Sequence, residues 1–185
     1  EGCPLAAMSS AGSGSKGIAT ILPVVDVAET LKADRKTTLQ ALAFAHLLND
    51  YINVIVGKLT SMCTCSIGSA TAAAAAITWL MGGSDEQIAF AIRNMTGDIT
   101  GLICDGGKTG CALKLSTSMT AALTCALLAI NNVGLRPTDG VCAVTPEDCI
   151  RNISRIGNSG MSNADNEILS IMLEKEKNHK TAAKK

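Results

Sequence analysis

The sequence predicts an all-α fold, and three observations carry that expectation. Apolar residues recur at helical spacing along the chain and no credible strand alternation appears. Residues that start and stop helices punctuate the pattern at regular intervals. The packing material is small: 47% of residues are hydrophobic, only 2% are aromatic, and 17 are glycine. At 185 residues and 19.0 kDa the chain is one domain of ordinary size, able to bury a core without disulfide staples.

In order, a glycine- and serine-rich opening from Ser9 to Gly17 leads into an apolar segment ending near Lys32. Asp34 is placed to cap a long helix running to about Val56, where Gly57 stops it. After a loop containing Cys63 and Cys65, the alanine-rich stretch from about Ser69 to Met81 reads as a buried helix closed by Gly82 and Gly83. Ser84 and Gln87 form a capping box for the next helix, whose Ile88, Ile92, Met95, Ile99 and Leu102 fall on one face. The segment from Asp105 to Gly110 holds three glycines in six residues and is too costly in backbone entropy for a regular helix. A long apolar helix follows from about Ala112 to Val133, ended by Gly134. Thr145 caps another, with Pro146 at its first position and Gly157 at its end. A last short helix begins near Ser162, so that residues 1–173 form the domain and Glu174 to Lys185 a charged, frayed and solvated tail.

Sixteen basic residues balance sixteen acidic ones, which leaves no global field to hold nucleic acid or an anionic membrane. Two uncharged stretches, Leu59 to Ser84 and Leu115 to Leu135, are long enough to span a bilayer. Their serines, threonines and glycines, with one Trp and one Tyr in the whole chain, favour helices buried in a helical domain over membrane spans. Eight cysteines without a secretory signal read as reduced thiols in a cytoplasmic protein, where metal binding or catalysis outranks a disulfide framework. Glu1 opens the chain without a Met, as expected of a fragment or a processed product.

Two nucleotide signatures fail on context. Gly12 to Gly17 matches G-x-G-x-x-G letter for letter, but the strands that a dinucleotide fold needs on either side are absent. Gly107-Lys108-Thr109 resembles the end of a phosphate loop, but the glycine that should stand at position 102 is Leu102.

Two features remain chemically coherent. In the first, Gly12, Ser13, Gly14, Ser15 and Lys16 precede a helix, so that converging backbone N–H groups, hydroxyls and one ammonium suit a small carboxylate. A flexible glycine-serine linker is the plainer reading of the same residues. In the second, Cys104 and Cys111 bracket the glycine-rich loop, and Cys63 and Cys65 sit just before a helix, where its N–H groups favour thiolate charge. Three cysteines from two loops suit an iron-sulfur cluster with one open iron; zinc is less apt, because no paired C-x-x-C spacing occurs. Cys142 and Cys149 repeat the same gap and are rival ligands, or small buried hydrophobes, as Cys125 in mid-helix is.

At these residues the chain resembles a known family. The order Ser-Ser-Ala-Gly-Ser-Gly near residue 10, Cys63-x-Cys65 followed by Gly68 and an alanine run, and the block from Asn94 through Gly97-Asp98, Gly101 and Cys104-Asp105-Gly106 to Lys108, Cys111 and Lys114 closely resemble the alpha-chain domain of iron-sulfur-dependent L-serine dehydratases. Within that superfamily the L-cysteine desulfidase-like branch is the most similar, and the resemblance covers about residues 1–173. It implies a serine dehydratase alpha-domain-like helical fold and a [4Fe-4S] cluster, without pyridoxal phosphate. Carried onto this chain, the ligands are Cys63, Cys104 and Cys111, with Cys65 the alternative to Cys63. The substrate-carboxylate loop falls on Gly12, Ser13, Gly14 and Ser15; the dehydratases carry Thr-Asn-Gly-Ala there, so the match is by position and glycine content.

The implied reaction is β-elimination on a small L-amino acid. An open iron polarises the β-thiol or β-hydroxyl, a base takes the α-proton, and the aminoacrylate hydrolyses to pyruvate and ammonia, with sulfide released from L-cysteine. L-Serine is the alternative substrate. Only His46 and His179 are available as imidazoles, and His46 shares a helical stripe with Asn49, Asp50 and Asn53, which makes it the candidate catalytic group. Further active-site groups of the family lie N-terminal to this domain, so an N-terminal half in cis or as a separate subunit is the expected partner, and a homodimer is open. A cluster-binding or structural domain without turnover is the competing reading from another class.

Overall fold

The computed structural model describes residues 4–182. Alanine sets its architecture. Helix α3 (Thr64–Leu80) carries Ala70 and Ala72 to Ala76, all 0% exposed, and α1 (Gly14–Thr30), α2 (Arg35–Val56), α4 (Asp85–Ile99) and α5 (Gly110–Ile130) surround it. A methyl group is the largest side chain that lets helix axes approach closely on every side, so the helix that is apolar all round becomes the axle of the domain. Two of its buried hydroxyls are returned to its own backbone: Thr71 Oγ1 donates to the Ile67 carbonyl at 2.7 Å and Thr78 Oγ1 to the Ala74 carbonyl at 2.8 Å.

A second apolar cluster, with Ile52, Met62, Ile67, Ile92, Cys149, Ile150 and Ile153, joins α2 and α4 to α6 (Pro146–Arg155). A π-helical turn, Ile156–Gly160, and α7 (Ala164–Ala182) complete seven α-helices, with no strand among the described residues. The fold class is therefore all-α, as the sequence predicts. By length and composition α2 and α5 could each cross a membrane; in this fold each lays one face on α3.

The local signals act as chemistry requires. The Asp34 carboxylate accepts from the Thr37 N–H at 2.7 Å, Gly57 closes α2 at φ 98°, the Ser84–Gln87 box is complete, and the Thr145 hydroxyl accepts from the Asp148 N–H at 3.2 Å. Most of the differences arise where tertiary contacts decide. The axle starts at Thr64, not near Ser69, because the Cys63 carbonyl already accepts the N–H groups of Ser66 and Ile67. Leu102, expected on the α4 face, lies beyond the helix, and its carbonyl binds the Cys63 N–H at 2.8 Å. Helix α5 ends at Ile130 through Asn132 at φ 61°; Gly134 instead packs beneath Phe90, whose ring atoms lie 2.9 Å from where a Cβ would stand. Helix α7 extends to Ala182, through most of the segment expected as a frayed tail, and its Leu169, Ile171, Met172 and Leu173 are exposed. Residues 183–185 and Cys3 lie outside the described residues.

Because the axle is filled to methyl size, Ala74→Leu should cost about 1–3 kcal/mol by overpacking, read as a lowered urea midpoint with an unchanged slope. Leu128→Ala on the exposed side of α5 should change stability by no more than about 0.5 kcal/mol in the same titration.

Candidate functional site

The site starts with a turn. Ser10 and Ser13 exchange backbone hydrogen bonds at 3.2 and 3.0 Å, and the two residues between them, Ala11 (φ 46°) and Gly12 (φ 80°), are both left-handed, the signature of a two-residue hairpin turn. The preceding chain lies so close to α1 that a Cβ on Gly17 would sit 1.6 Å from the Met8 carbonyl oxygen. Gly17 is thus required by backbone approach and not by an anion, a role the sequence does not reveal. Ser13 stands at the N-cap of α1 but makes no capping bond; its hydroxyl lies 3.8 Å from the Cys65 sulfur. The first helical carbonyl acceptor is Ser13, taken by the Gly17 N–H, so the amides of Gly14, Ser15 and Lys16 have no partner within the helix.

Beneath this turn runs a buried polar seam through α1, α2 and α3. Lys16 is 2% exposed, and its ammonium donates to Asn53 Oδ1 at 2.5 Å. None of the ion pairs among the described residues includes it. Burial pushes its pKa below the ordinary lysine value, against an opposing pull from the Cys65 thiol. Asn53 donates to Asn49, Ser69 donates to Asn49, Asn49 donates to Ser10, and Ser10 meets the Nδ1 of His46 at 2.8 Å. The helical stripe expected around His46 is therefore real for Asn49 and Asn53, whereas Asp50 turns to the surface. Sequence reasoning does not single out Ser10 and Ser69 for this role; hydroxyls next to and inside an alanine run are the signal that could find them.

The cysteine loops meet across a short ladder. Met62 and Ile103 form an antiparallel bridge, with the Cys63 N–H on the Leu102 carbonyl and the Cys104 N–H on the Ser61 carbonyl, both at 2.8 Å. Side chains alternate along a ribbon, so Cys63 and Cys104 share the face opposite Met62 and Ile103. Cys63 is the N-cap of α3, and its thiol donates to Ser66 Oγ at 3.3 Å. Cys111 lies in the first turn of α5, its sulfur 3.7 Å from the Gly106 carbonyl across the glycine-rich loop. That loop is clamped by Asp105, which pairs with both Lys108 and Lys114 and is held well below the usual carboxylate range by them; Lys114 also donates to the Ile103 carbonyl at 2.9 Å. No three His, Cys, Asp or Glu side chains among the described residues converge as a ready site for one metal ion.

The remaining thiols differ in kind. Cys65 is half-buried, and burial raises its pKa above the ordinary thiol value. Cys125 is 3% exposed, and burial with the nearby Asp98 carboxylate pushes it up to about 12. Cys142 and Cys149 are buried, each facing a backbone carbonyl at 3.7 Å, of Arg93 and Ala143 respectively. Brief iodoacetamide treatment of the folded chain at pH 8, read by peptide mass mapping, should label Cys104 and Cys111 and leave Cys125 and Cys149 unmodified until denaturant is added.

Comparison with known proteins follows the same residues. The serine dehydratase alpha chain family matches residues 1–170. A UPF0597 protein of Desulforapulum autotrophicum is 43% identical over 175 residues, which are 95% of this chain and 40% of that protein. One from Caldanaerobacter subterraneus is 42% identical, covering 95% of this chain and 42% of the relative, and one from Clostridium perfringens is 41% identical, covering 97% and 42%. The chain thus spans about two fifths of the length of the curated relatives it matches. No solved structure matches it.

Proposed function

The chain belongs to the serine dehydratase alpha chain family, and on that premise we propose that it is the cluster-bearing portion of an iron-sulfur-dependent lyase acting on a small L-amino acid, L-cysteine, to give pyruvate, ammonia and sulfide. The observation that supports this most is the Met62–Ile103 bridge, which sets Cys63 and Cys104 on one ribbon face with the glycine-rich loop leading on to Cys111. The donor set fits a [4Fe-4S] cluster. Cys63, Cys104 and Cys111 are free thiols, the donor type such a cluster takes, and three of them would leave one iron without a protein thiolate. The N-termini of α3 and α5 and the Lys114 ammonium set positive potential beside these sulfurs.

When bound, the cluster supplies an open iron as Lewis acid to the β-substituent. The chain's own residues supply the other half of recognition. Ser13, the free amides of Gly14 to Lys16, and the Lys16 ammonium are donors for the substrate carboxylate, which would give that buried ammonium the anion that Asn53 does not. Gly12 shapes the turn, and Ser15 stands in the first turn of α1 beside it. His46 is the imidazole tied to the turn through Ser10. A further portion of the enzyme, in cis or as a separate subunit, is the partner that would close the pocket, a reading that the relatives' greater length supports. The family description favours a second reading, L-serine as substrate.

Anaerobic reconstitution of the whole chain separates these assignments. Cys104→Ser and Cys111→Ser should lose the cluster absorbance and bound iron, Cys125→Ser should keep both, and comparison of Cys63→Ser with Cys65→Ser assigns the third ligand. Equal iron in all variants would remove the cluster reading and leave a structural domain. In the enzyme completed by its remaining portion, Ser13→Ala should raise the half-saturating substrate concentration roughly ten- to a hundredfold, for a lost charged hydrogen bond worth about 1.5–3 kcal/mol. Sulfide release from L-cysteine against pyruvate release from L-serine, measured side by side, chooses the substrate.

A further inference from the structure

The buried seam has a direction, and its two anchors are unambiguous. The Lys16 ammonium can only donate, so the Asn53 atom 2.5 Å from it is the amide oxygen. The Asn49 backbone carbonyl can only accept, and the other end of the Asn53 amide lies 2.7 Å from it. Asn53 therefore turns Nδ2 toward α2 and donates to Asn49 Oδ1 at 3.0 Å. Asn49 Oδ1 accepts a second bond from Ser69 Oγ at 3.2 Å, which leaves its Nδ2 to donate to Ser10 Oγ at 2.8 Å. Ser10 is 4% exposed, and its own proton finds one acceptor among the described residues, His46 Nδ1 at 2.8 Å. A buried hydroxyl proton left unbonded carries the full desolvation penalty, so the serine donates and the ring nitrogen accepts.

We propose that this relay, running from Lys16 through Asn53, Asn49 and Ser10, holds neutral His46 as its Nε2–H tautomer and makes it a hydrogen-bond donor at the anion loop, not the base that takes a proton there. Ser10, Asn49 and Asn53 are positioning residues: they act on a ligand only through the two groups at the ends of the chain. Both ends of the relay then carry donors, the Lys16 ammonium and the His46 Nε2–H. The identity of an anion bound there rests on the proposed function; the tautomer does not, since it follows from hydrogen bonds present without iron or substrate. The α-proton base of an elimination must then come from a group other than the His46 Nε2.

The test is the tautomer itself, read by long-range proton–nitrogen spectra of the full chain labelled on its imidazoles, iron-free, at a pH where both are neutral. With only His46 and His179 in the sequence, His179→Gln completes the assignment. Wild-type His46 should carry its proton on Nε2, with Nδ1 shifted as a hydrogen-bonded acceptor. Asn49→Asp replaces the donating amide by a second acceptor of the same shape; Ser10 should then turn its proton to the new carboxylate and accept from the ring, so that His46 switches to the Nδ1–H form. Ser10→Ala, outside the helices, removes only the hydroxyl that meets His46 and Asn49 and should lose the acceptor shift of Nδ1. An Nδ1–H ring in the wild type would overturn the proposal, as would an unchanged Nδ1 signal in Ser10→Ala. Retention of the Nε2–H form in folded Asn49→Asp, judged by its helical circular dichroism, would do the same. None of these readings depends on iron content, which tests the cluster assignment separately.

Discussion

The close approach of four helices to a methyl-lined axle is the constraint on which the rest of the molecule depends. With Ala70 and Ala72 to Ala76 fully enclosed, α1 and α2 meet α3 near enough for short side chains at its N-terminal end to touch across the interface. There the axle changes character from alanine to Ser66, Gly68 and Ser69. A Cβ on Gly68 would meet Ile52 at 3.3 Å and Asn53 at 3.5 Å, so the glycine makes the room that the Asn49–Asn53 seam occupies. The apolar half of α3 supplies stability and the small polar half supplies a buried place where hydrogen bonds are strong and directional.

That place has a cost. An ammonium enclosed to the degree of Lys16 gives up most of its hydration, and one neutral amide restores only part of it. The local field offsets this only in part: Cys65, Asp50 and Cys63 pull the lysine toward its charged form, Lys58 pushes the other way, and burial leaves its pKa below the ordinary value. On the far side of the ladder Asp105, Lys108 and Lys114 form the reverse arrangement, a partly exposed ionic clamp in which one carboxylate serves two lysines. The cysteine region thus lies between two sets of cations, one buried in the core and one half in water.

Legibility in the sequence follows the range of the interaction that decides each feature. The starts of α2, α4 and α6 were legible because Asp34, Ser84 and Thr145 act on amides two or three residues away. The non-helical course of Asp105 to Thr109 was legible for the same reason, as glycine entropy is local. The start of α3 at Thr64 and the departure of Leu102 from the α4 pattern were not, because both depend on a ladder between segments that the sequence does not align. The site divides in the same way. Cys63, Cys104, Cys111 and the Gly12–Lys16 segment stand out by residue type and spacing, whereas the roles of Ser10, Ser69 and Gly17 arise from contacts with residues distant in sequence and are silent in the one-dimensional pattern.

The two-bond ladder at Met62 and Ile103 also has a kinetic meaning. It closes a loop of about 40 residues that contains all of α3 and α4, so its closure entropy is repaid only after those two helices have packed. Cys63 and Cys104 are therefore brought together by the packing of α3 and α4 and not by nearness in sequence. A group bridging that face would tie together two segments that only the packed helices bring side by side, and part of its binding free energy would then stabilise the fold itself.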